Sequence, residues 1–350
     1  MRMYKSLQGL RAIAAILVVL YHIGGALSAE KYFALHILSV PFSFGSAGVE
    51  FFFVLSGFII FTAHKNDFFQ PHMILSYFRK RFVRIYPTYW IIFLLVFVGA
   101  IASGTYIPYD SLILLKSLLL IPQDINKVGG TGAPVIIVAW TLQYEMFFYL
   151  FFATLLFSGW LAILAGIAIL FIYLNYTIHS SFPFNFLTQA YPLLFIMGMG
   201  IGKVHASRIG IKYPISYAVA GGIMFLTFAL DTILSSDSFI EWHSIYIGVS
   251  ASFILFGLVL MEDNGQIFFK HRWMQLLGDS SYVLYLIHYP MISLLCKFLI
   301  LIHINKLEIW GAMISYCIIF FACLISAMTF HLWIEKPIIN CLREPRLCKV

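Results

Sequence analysis

Arg11 and His22 stand eleven positions apart in one apolar run, and Glu50 and Glu145 each follow the start of another. Eleven helical residues make three turns and rise about 16.5 Å, so Arg11 and His22 share a face at different heights. A charge near the centre of a bilayer costs about 2.5–3.5 kcal/mol on insertion scales, and such residues usually line a functional cavity or pair internally. His22, Glu50 and Glu145 fall at similar depth in their runs. A histidine with two carboxylates at one depth can run acid–base chemistry: the imidazole takes a proton, and a carboxylate orients it or balances its charge. The remaining intramembrane charge, Lys297, lies near the end of its run and reads as a side chain snorkelling to the interface.

Arginines supply a second chemical theme. The run Arg79-Lys80-Arg81-Phe82-Val83-Arg84-Ile85-Tyr86-Pro87 opens an apolar stretch. One reading is topogenic, a cluster that binds lipid phosphate. The other is a ligand site. Arg81 and Arg84 are three residues apart on one helical face, and with Arg11 they could clamp a polyphosphate through planar, always-charged forks. Phosphates at one depth and acid–base chemistry about 15 Å further along the same helix match a coenzyme A thioester, an anionic head on a long thin arm.

The elements that must position these groups follow from composition. The chain of 350 residues is 61% hydrophobic and 11% charged, against about 25% charged in soluble domains. Mean hydropathy is +0.92. Such a chain folds in lipid, and its runs are too long and uniform for barrel strands, so helices are expected. Ten spans are predicted, at Leu7–Leu27, Gly45–Ala63, Ile85–Ser103, Ile137–Phe157, Gly159–Tyr176, Ala190–Gly202, Tyr213–Leu230, His243–Met261, Ser281–Ile302 and Leu307–Trp333. Leu112–Ile121 reads as a short interfacial or re-entrant piece. With the N-terminus inside, basic residues concentrate on the inner loops, while Lys31, Lys116, Lys127 and Lys306 fall outside with the acidic loop Asp231, Asp237 and Glu241. That bias predicts both termini on the cytoplasmic side. The net charge of +7 is therefore a topology signal and points to no nucleic acid. The segment Met1–Ala29 has signal-peptide features, but Arg11 interrupts it and it is long enough to span, so it is read as retained. The five cysteines lack metal-ligand spacing, and no metal is expected.

Six motifs in order then resemble the acyltransferase 3 family of membrane acyltransferases, notably its exopolysaccharide and O-antigen O-acetyltransferase type. They are Arg11 and His22 in a basic-x10-His spacing; Gly48-Val49-Glu50-Phe51-Phe52-Phe53-Val54-Leu55-Ser56-Gly57-Phe58; Arg81-Phe82-Val83-Arg84-Ile85-Tyr86-Pro87; Trp140-Thr141-Leu142-Gln143-Tyr144-Glu145-Met146-Phe147-Phe148-Tyr149; Gly278-Asp279-Ser280-Ser281-Tyr282-Val283-Leu284-Tyr285-Leu286-Ile287-His288; and Glu335-Lys336-Pro337. The resemblance covers essentially the whole chain. It implies a multi-pass protein of the bacterial cytoplasmic (inner) membrane that moves an acyl group, usually acetyl from cytoplasmic acetyl-CoA, onto a sugar hydroxyl of an envelope glycan. His22 corresponds to the family's catalytic histidine, and Arg11, Arg81 and Arg84 to its acyl-CoA-binding positions. Some members carry a fused extracytoplasmic domain that completes transfer. Here the chain ends soon after Trp333, so a single membrane domain over residues 1–350 is expected, with transfer direct or finished by a separate partner.

Under this reading His22 is a general base on the sugar hydroxyl, or forms an acyl-histidine. Glu145 orients it or accepts its charge, and Glu50 and Tyr144 are expected to contact the acceptor. The competing reading is a glycan transporter or flippase in which His22, Glu50 and Glu145 relay protons. Paired broken helices in corresponding halves would favour it, and the sequence has no such symmetry.

Overall fold

The computed structural model describes residues 4–105, 108–175, 181–207, 212–234 and 242–343. Asp237 and Glu241 of the predicted acidic loop, and Tyr176 at the end of the fifth predicted span, lie outside them. The regular secondary structure of the described residues is all helical, with no strand among them. In chain order the main helices are α1 (Lys5–Leu27), α2 (Gly48–His64), α3 (Ile74–Ala102), α4 (Ser111–Leu118), α5 (Trp140–Phe157), α6 (Gly159–Leu174), α7 (Tyr191–Ala206), α8 (Pro214–Ile233), α9 (His243–Asp263), α10 (Arg272–Leu301), α11 (Glu308–Phe330) and α12 (Lys336–Arg343).

A helix stands at each of the ten predicted spans. Among the described residues eight helical stretches are long and apolar enough to cross a membrane. The two outside that count are α5 and α6. Helix α5 has 18 residues, but its first turns carry Gln143, Tyr144 and Glu145, which lower its apolarity. Helix α6 is strongly apolar but has only 16 residues, about 24 Å of rise against a hydrocarbon layer of about 30 Å. The predicted third and ninth spans start late. Helix α3 begins at Ile74 and α10 at Arg272, because lysine and arginine are good helix formers, and hydropathy marks only the apolar part of a continuous helix. Large apolar side chains such as Leu94, Leu95, Val98, Leu164, Ile167 and Phe171 are exposed on these helices, the surface a bilayer would cover. The chain is a multi-pass membrane protein.

Two compact units divide it: Met1–Ala63 with Leu193–His331, and His64–Pro192 with Leu332–Val350. In the first, α1 packs on α10, α8 on α9, and α10 on α11. Close packing of α1 requires two glycines from the quoted motifs. A Cβ on Gly48 would meet the Ala14 carbonyl oxygen, and one on Gly278 would meet that of Gln8. Helix α1 has no side-chain cap of its own at Tyr4. Instead, the buried Glu262 carboxylate accepts the backbone N–H groups of Lys5 (2.9 Å) and Ser6 (2.8 Å). This satisfies two donors that a helix start leaves unpaired, and puts negative charge at the positive end of the dipole. The Tyr4 hydroxyl donates to Asp263 at 3.2 Å, and Asp263 also bonds His205 Nε2 at 2.6 Å. These contacts fix the height of α1, and with it the heights of Arg11 and His22.

In the second unit α3 packs on α5. Tyr77 stacks on Phe152 with ring centroids 5.6 Å apart, and its hydroxyl donates to the Tyr149 carbonyl at 3.2 Å. The predicted short piece is α4. Its C-terminal carbonyls at Ser117, Leu118 and Leu119 accept from Tyr89, Trp90 and Tyr86 of α3 at 2.8, 2.9 and 2.9 Å. The carbonyls at a helix end lack the full set of intrahelical partners, and here aromatic donors of α3 supply bonds that water would otherwise make. A π-helical turn, His331–Glu335, joins α11 to α12.

Candidate active site

Arg11, His22 and Glu50 belong to the first unit, and Arg81, Arg84, Tyr144 and Glu145 to the second. Each group has its own surroundings.

His22 is half-buried on the third turn after Arg11. Its Nδ1 lies 2.8 Å from the Val18 carbonyl oxygen and 3.2 Å from Nε2 of His288. The two imidazoles are inclined at 55° with centroids 4.9 Å apart, and Tyr21 and Tyr289 present ring edges to His22 at 5.1 and 5.6 Å. Aromatic contacts on three sides lock the ring. Its Nε2 makes no hydrogen bond among the described residues. Behind it, the Tyr316 hydroxyl donates to the Leu20 carbonyl at 2.8 Å, holding this turn of α1. Arg11 receives a neighbour on its own helix, donating from Nη1 to Gln8 Oε1 at 3.1 Å.

Glu50 sits in the first turn of α2 and is 4% exposed. Its Oε1 accepts from the Ser244 hydroxyl at 3.2 Å and lies 3.7 Å from His243 Nδ1. Its Oε2 is buried with no hydrogen-bond partner. Ala47, Phe228 and Ile247 form a packed cluster there, with Phe44, Phe51, Phe225 and Tyr246 against it. A carboxylate oxygen held away from water without a donor costs free energy that a hydroxyl-bearing ligand would recover.

In the second unit Arg81 is held by rings. Its guanidinium lies over Tyr77 at 5.8 Å and over Tyr149 at 5.7 Å, and Nη2 is 3.4 Å from His64 Nε2. His64 Nδ1 in turn lies 2.7 Å from Asp67 Oδ2. Since arginine only donates, His64 accepts at Nε2 and donates from Nδ1 to Asp67. The Tyr149 hydroxyl donates to Glu145. Asp67, His64 and Arg81 are thus linked by polar contacts, and the Arg81 guanidinium lies over the ring of Tyr149, whose hydroxyl reaches Glu145. Arg81 Nε is buried without a partner. Arg84 pairs with the fully buried Glu335, Nη1 to Oε1 at 3.3 Å. Tyr144 is buried in an aromatic cluster, stacked on Phe186 at 4.0 Å with Tyr191 and Trp140 beside it.

The sequence reading missed His288, His243, Ser244, His64, Asp67, Tyr149 and Glu335 as site neighbours. His288, Tyr149 and Glu335 were within reach, since each lies in one of the quoted motifs. His64 and His243 sit at the ends of apolar runs, where nothing in spacing separates them from ordinary interfacial histidines.

In each unit, buried ionisable groups are set on helices that are largely apolar, and in the first unit they include a histidine with one open nitrogen. A family model described as an acyltransferase domain matches residues 4–332, and the chain belongs to this family, acyltransferase 3; it is an acyltransferase. The exopolysaccharide production protein ExoZ of Rhizobium meliloti (strain 1021) is 29% identical, over 73% of this chain and 79% of its own length. Acyltransferase MdmB of Streptomyces mycarofaciens is 32% identical over 42% of this chain and 38% of its own. The peptidoglycan O-acetyltransferase OatA of Listeria monocytogenes serovar 1/2a is 24% identical over 95% of this chain, which spans 55% of that relative's length. No solved structure matches the chain at a significant level.

Proposed function

We propose that the protein transfers acetyl, or another short acyl group, from cytoplasmic acyl-CoA to a sugar hydroxyl of an envelope glycan such as an exopolysaccharide or O-antigen. The relatives named for exopolysaccharide production and peptidoglycan O-acetylation support a glycan acceptor. The observation that carries the reading is His22, a ring locked on three sides with Nδ1 engaged and Nε2 open.

In this reading ten helices cross a bacterial cytoplasmic membrane with both termini inside. Arg11, Arg81 and Arg84 bind the phosphates of the donor, as forked cations that need no proton bookkeeping. Glu50 and Tyr144 hold the acceptor. The sugar hydroxyl gives its proton to His22 Nε2 as its oxygen attacks the thioester carbonyl. The carbon–sulfur bond breaks, and the imidazolium returns the proton to the departing thiolate. The products are the sugar ester and free CoA thiol. Glu145 offsets the positive charge on His22 while it lasts.

The test is thiol release from acetyl-CoA by purified protein given envelope polysaccharide, with the product examined by NMR for O-acetyl signals. Wild type should release thiol and esterify the glycan. His22→Ala should do neither while remaining inserted and folded. Normal turnover in a folded His22→Ala protein would remove His22 from the mechanism. Glycan translocation without thiol release would replace the enzyme with a flippase.

A further inference from the structure

His288 lies in the middle of α10 and is fully buried. Its Nδ1 is 3.1 Å from the carbonyl oxygen of Leu284, one turn back. A carbonyl only accepts, so Nδ1 carries the hydrogen, and a neutral imidazole with its hydrogen there presents a lone pair at Nε2. That lone pair faces His22 Nδ1 at 3.2 Å. His22 Nδ1 also faces the Val18 carbonyl oxygen at 2.8 Å, so Nδ1 of His22 must be a donor too. The opposite arrangement, with His288 donating from Nε2, would set a His22 lone pair against the Val18 carbonyl oxygen at hydrogen-bond distance. With both rings neutral, only one placement of protons satisfies all three contacts.

We propose that His288 is a positioning residue for the transfer reaction: its Nε2 lone pair, together with the Val18 carbonyl, keeps the hydrogen of His22 on Nδ1 and leaves His22 Nε2 as the basic atom facing the acceptor hydroxyl. This rests on His22 being the base. When His22 Nε2 takes the hydroxyl proton, charge spreads over the imidazolium, and the Nδ1–H bond to His288 becomes charge-assisted and stronger. His288 neither gains nor loses a proton. When His22 returns its proton to the CoA thiolate, the original tautomer is restored with the ring already in place. The arrangement does for His22 what a buried acceptor does for the histidine of a hydrolase triad, with an imidazole in place of the carboxylate.

Three variants of the full chain in lipid nanodiscs test this, with acetyl-CoA as donor and extracted envelope polysaccharide as acceptor. His288→Leu removes the acceptor atom and should lower kcat roughly tenfold or more, leaving KM for acetyl-CoA unchanged. His288→Gln can place Oε1 where Nε2 was and should restore most of the loss. Nitrogen-15 spectra of histidine-labelled wild type, with His22 assigned by difference from His22→Ala, should report hydrogen on Nδ1 and none on Nε2. Wild-type kcat in a folded His288→Leu protein, no recovery in a folded His288→Gln protein, or a His22 Nε2–H in the spectrum would each overturn the proposal. An active His22→Ala protein would remove the base reading itself. An inactive His22→Ala beside a normal His288→Leu would remove only the role of His288.

Discussion

Arg84 and Glu335 are 251 positions apart in sequence and meet as an ion pair of 3.3 Å, the carboxylate fully buried and the guanidinium partly exposed. The buried partner depends on the pair more than the exposed one does. Arg84→Gln should therefore lower CoA affinity by about 1.5–3 kcal/mol, the value of a charge-assisted hydrogen bond, and lower thermal stability as well. Glu335→Gln should lose less stability, because it leaves no buried charge behind. Calorimetry with CoA and thermal unfolding of both variants check this. An Arg84→Gln protein with undiminished CoA affinity would leave Arg84 a purely structural cation.

Arg81 is a different case, because its surroundings select shape as well as charge. A lysine keeps the charge but loses the flat face that lies over Tyr77 and Tyr149 and the fork that reaches His64. Arg81→Lys should weaken CoA binding nearly as much as Arg81→Gln, by about 1–2 kcal/mol. Equal affinity of Arg81→Lys and wild type would show that charge alone suffices.

A substitution at Glu50 tests the proposed acceptor side apart from the donor side. Glu50→Gln can still accept from Ser244 but no longer offers a charged, unpartnered oxygen. The expected outcome is a KM for polysaccharide raised roughly tenfold, as for one lost charged hydrogen bond, with CoA affinity unchanged. A steady-state series in each substrate reads both. A fall in CoA affinity instead would move Glu50 to the donor side.

Gly278→Ala tests the seam between α1 and α10. The added methyl would meet the Gln8 carbonyl, which belongs to a helix backbone and cannot turn aside. Overpacking of this kind costs about 1–3 kcal/mol. The same two helices carry His22 and His288, so turnover should fall together with the unfolding temperature. A variant with normal turnover and lowered stability would show that the seam gives way without reaching the histidine pair.

Much of this arrangement was legible in the sequence. Apolar runs located a helix at each of ten places, because backbone satisfaction in lipid leaves one solution for such runs. Intramembrane charge singled out Arg11, Glu50, Glu145 and Lys297 as candidates, because lipid makes charge conspicuous, and spacing from Arg11 and depth singled out His22. The partners were harder to find. His288 and Tyr149 become neighbours of His22 and Glu145 through helix packing and through a one-turn spacing whose meaning depends on side-chain direction. Helix lengths were misjudged where charged residues prolong α3 and α10, since hydropathy records affinity for lipid and is silent on backbone continuity.

The Glu262 cap on α1 bears on how the protein is made. Its donors, Lys5 and Ser6, are synthesised well before the carboxylate, which arrives with α9. At about 5–20 residues per second, the roughly 180 residues between the end of α2 and the start of α9 take about 10–40 s to synthesise. During that interval α1 and α2 wait in the membrane with Arg11 and Glu50 in place, and without the cap, Ser244 or His288. Helices α1 and α2 are thus made well before the partners that complete their surroundings. The nascent chain needs temporary shelter for two charged side chains, from the translocon, from lipid headgroups or from each other, before His22 acquires its fixed surroundings.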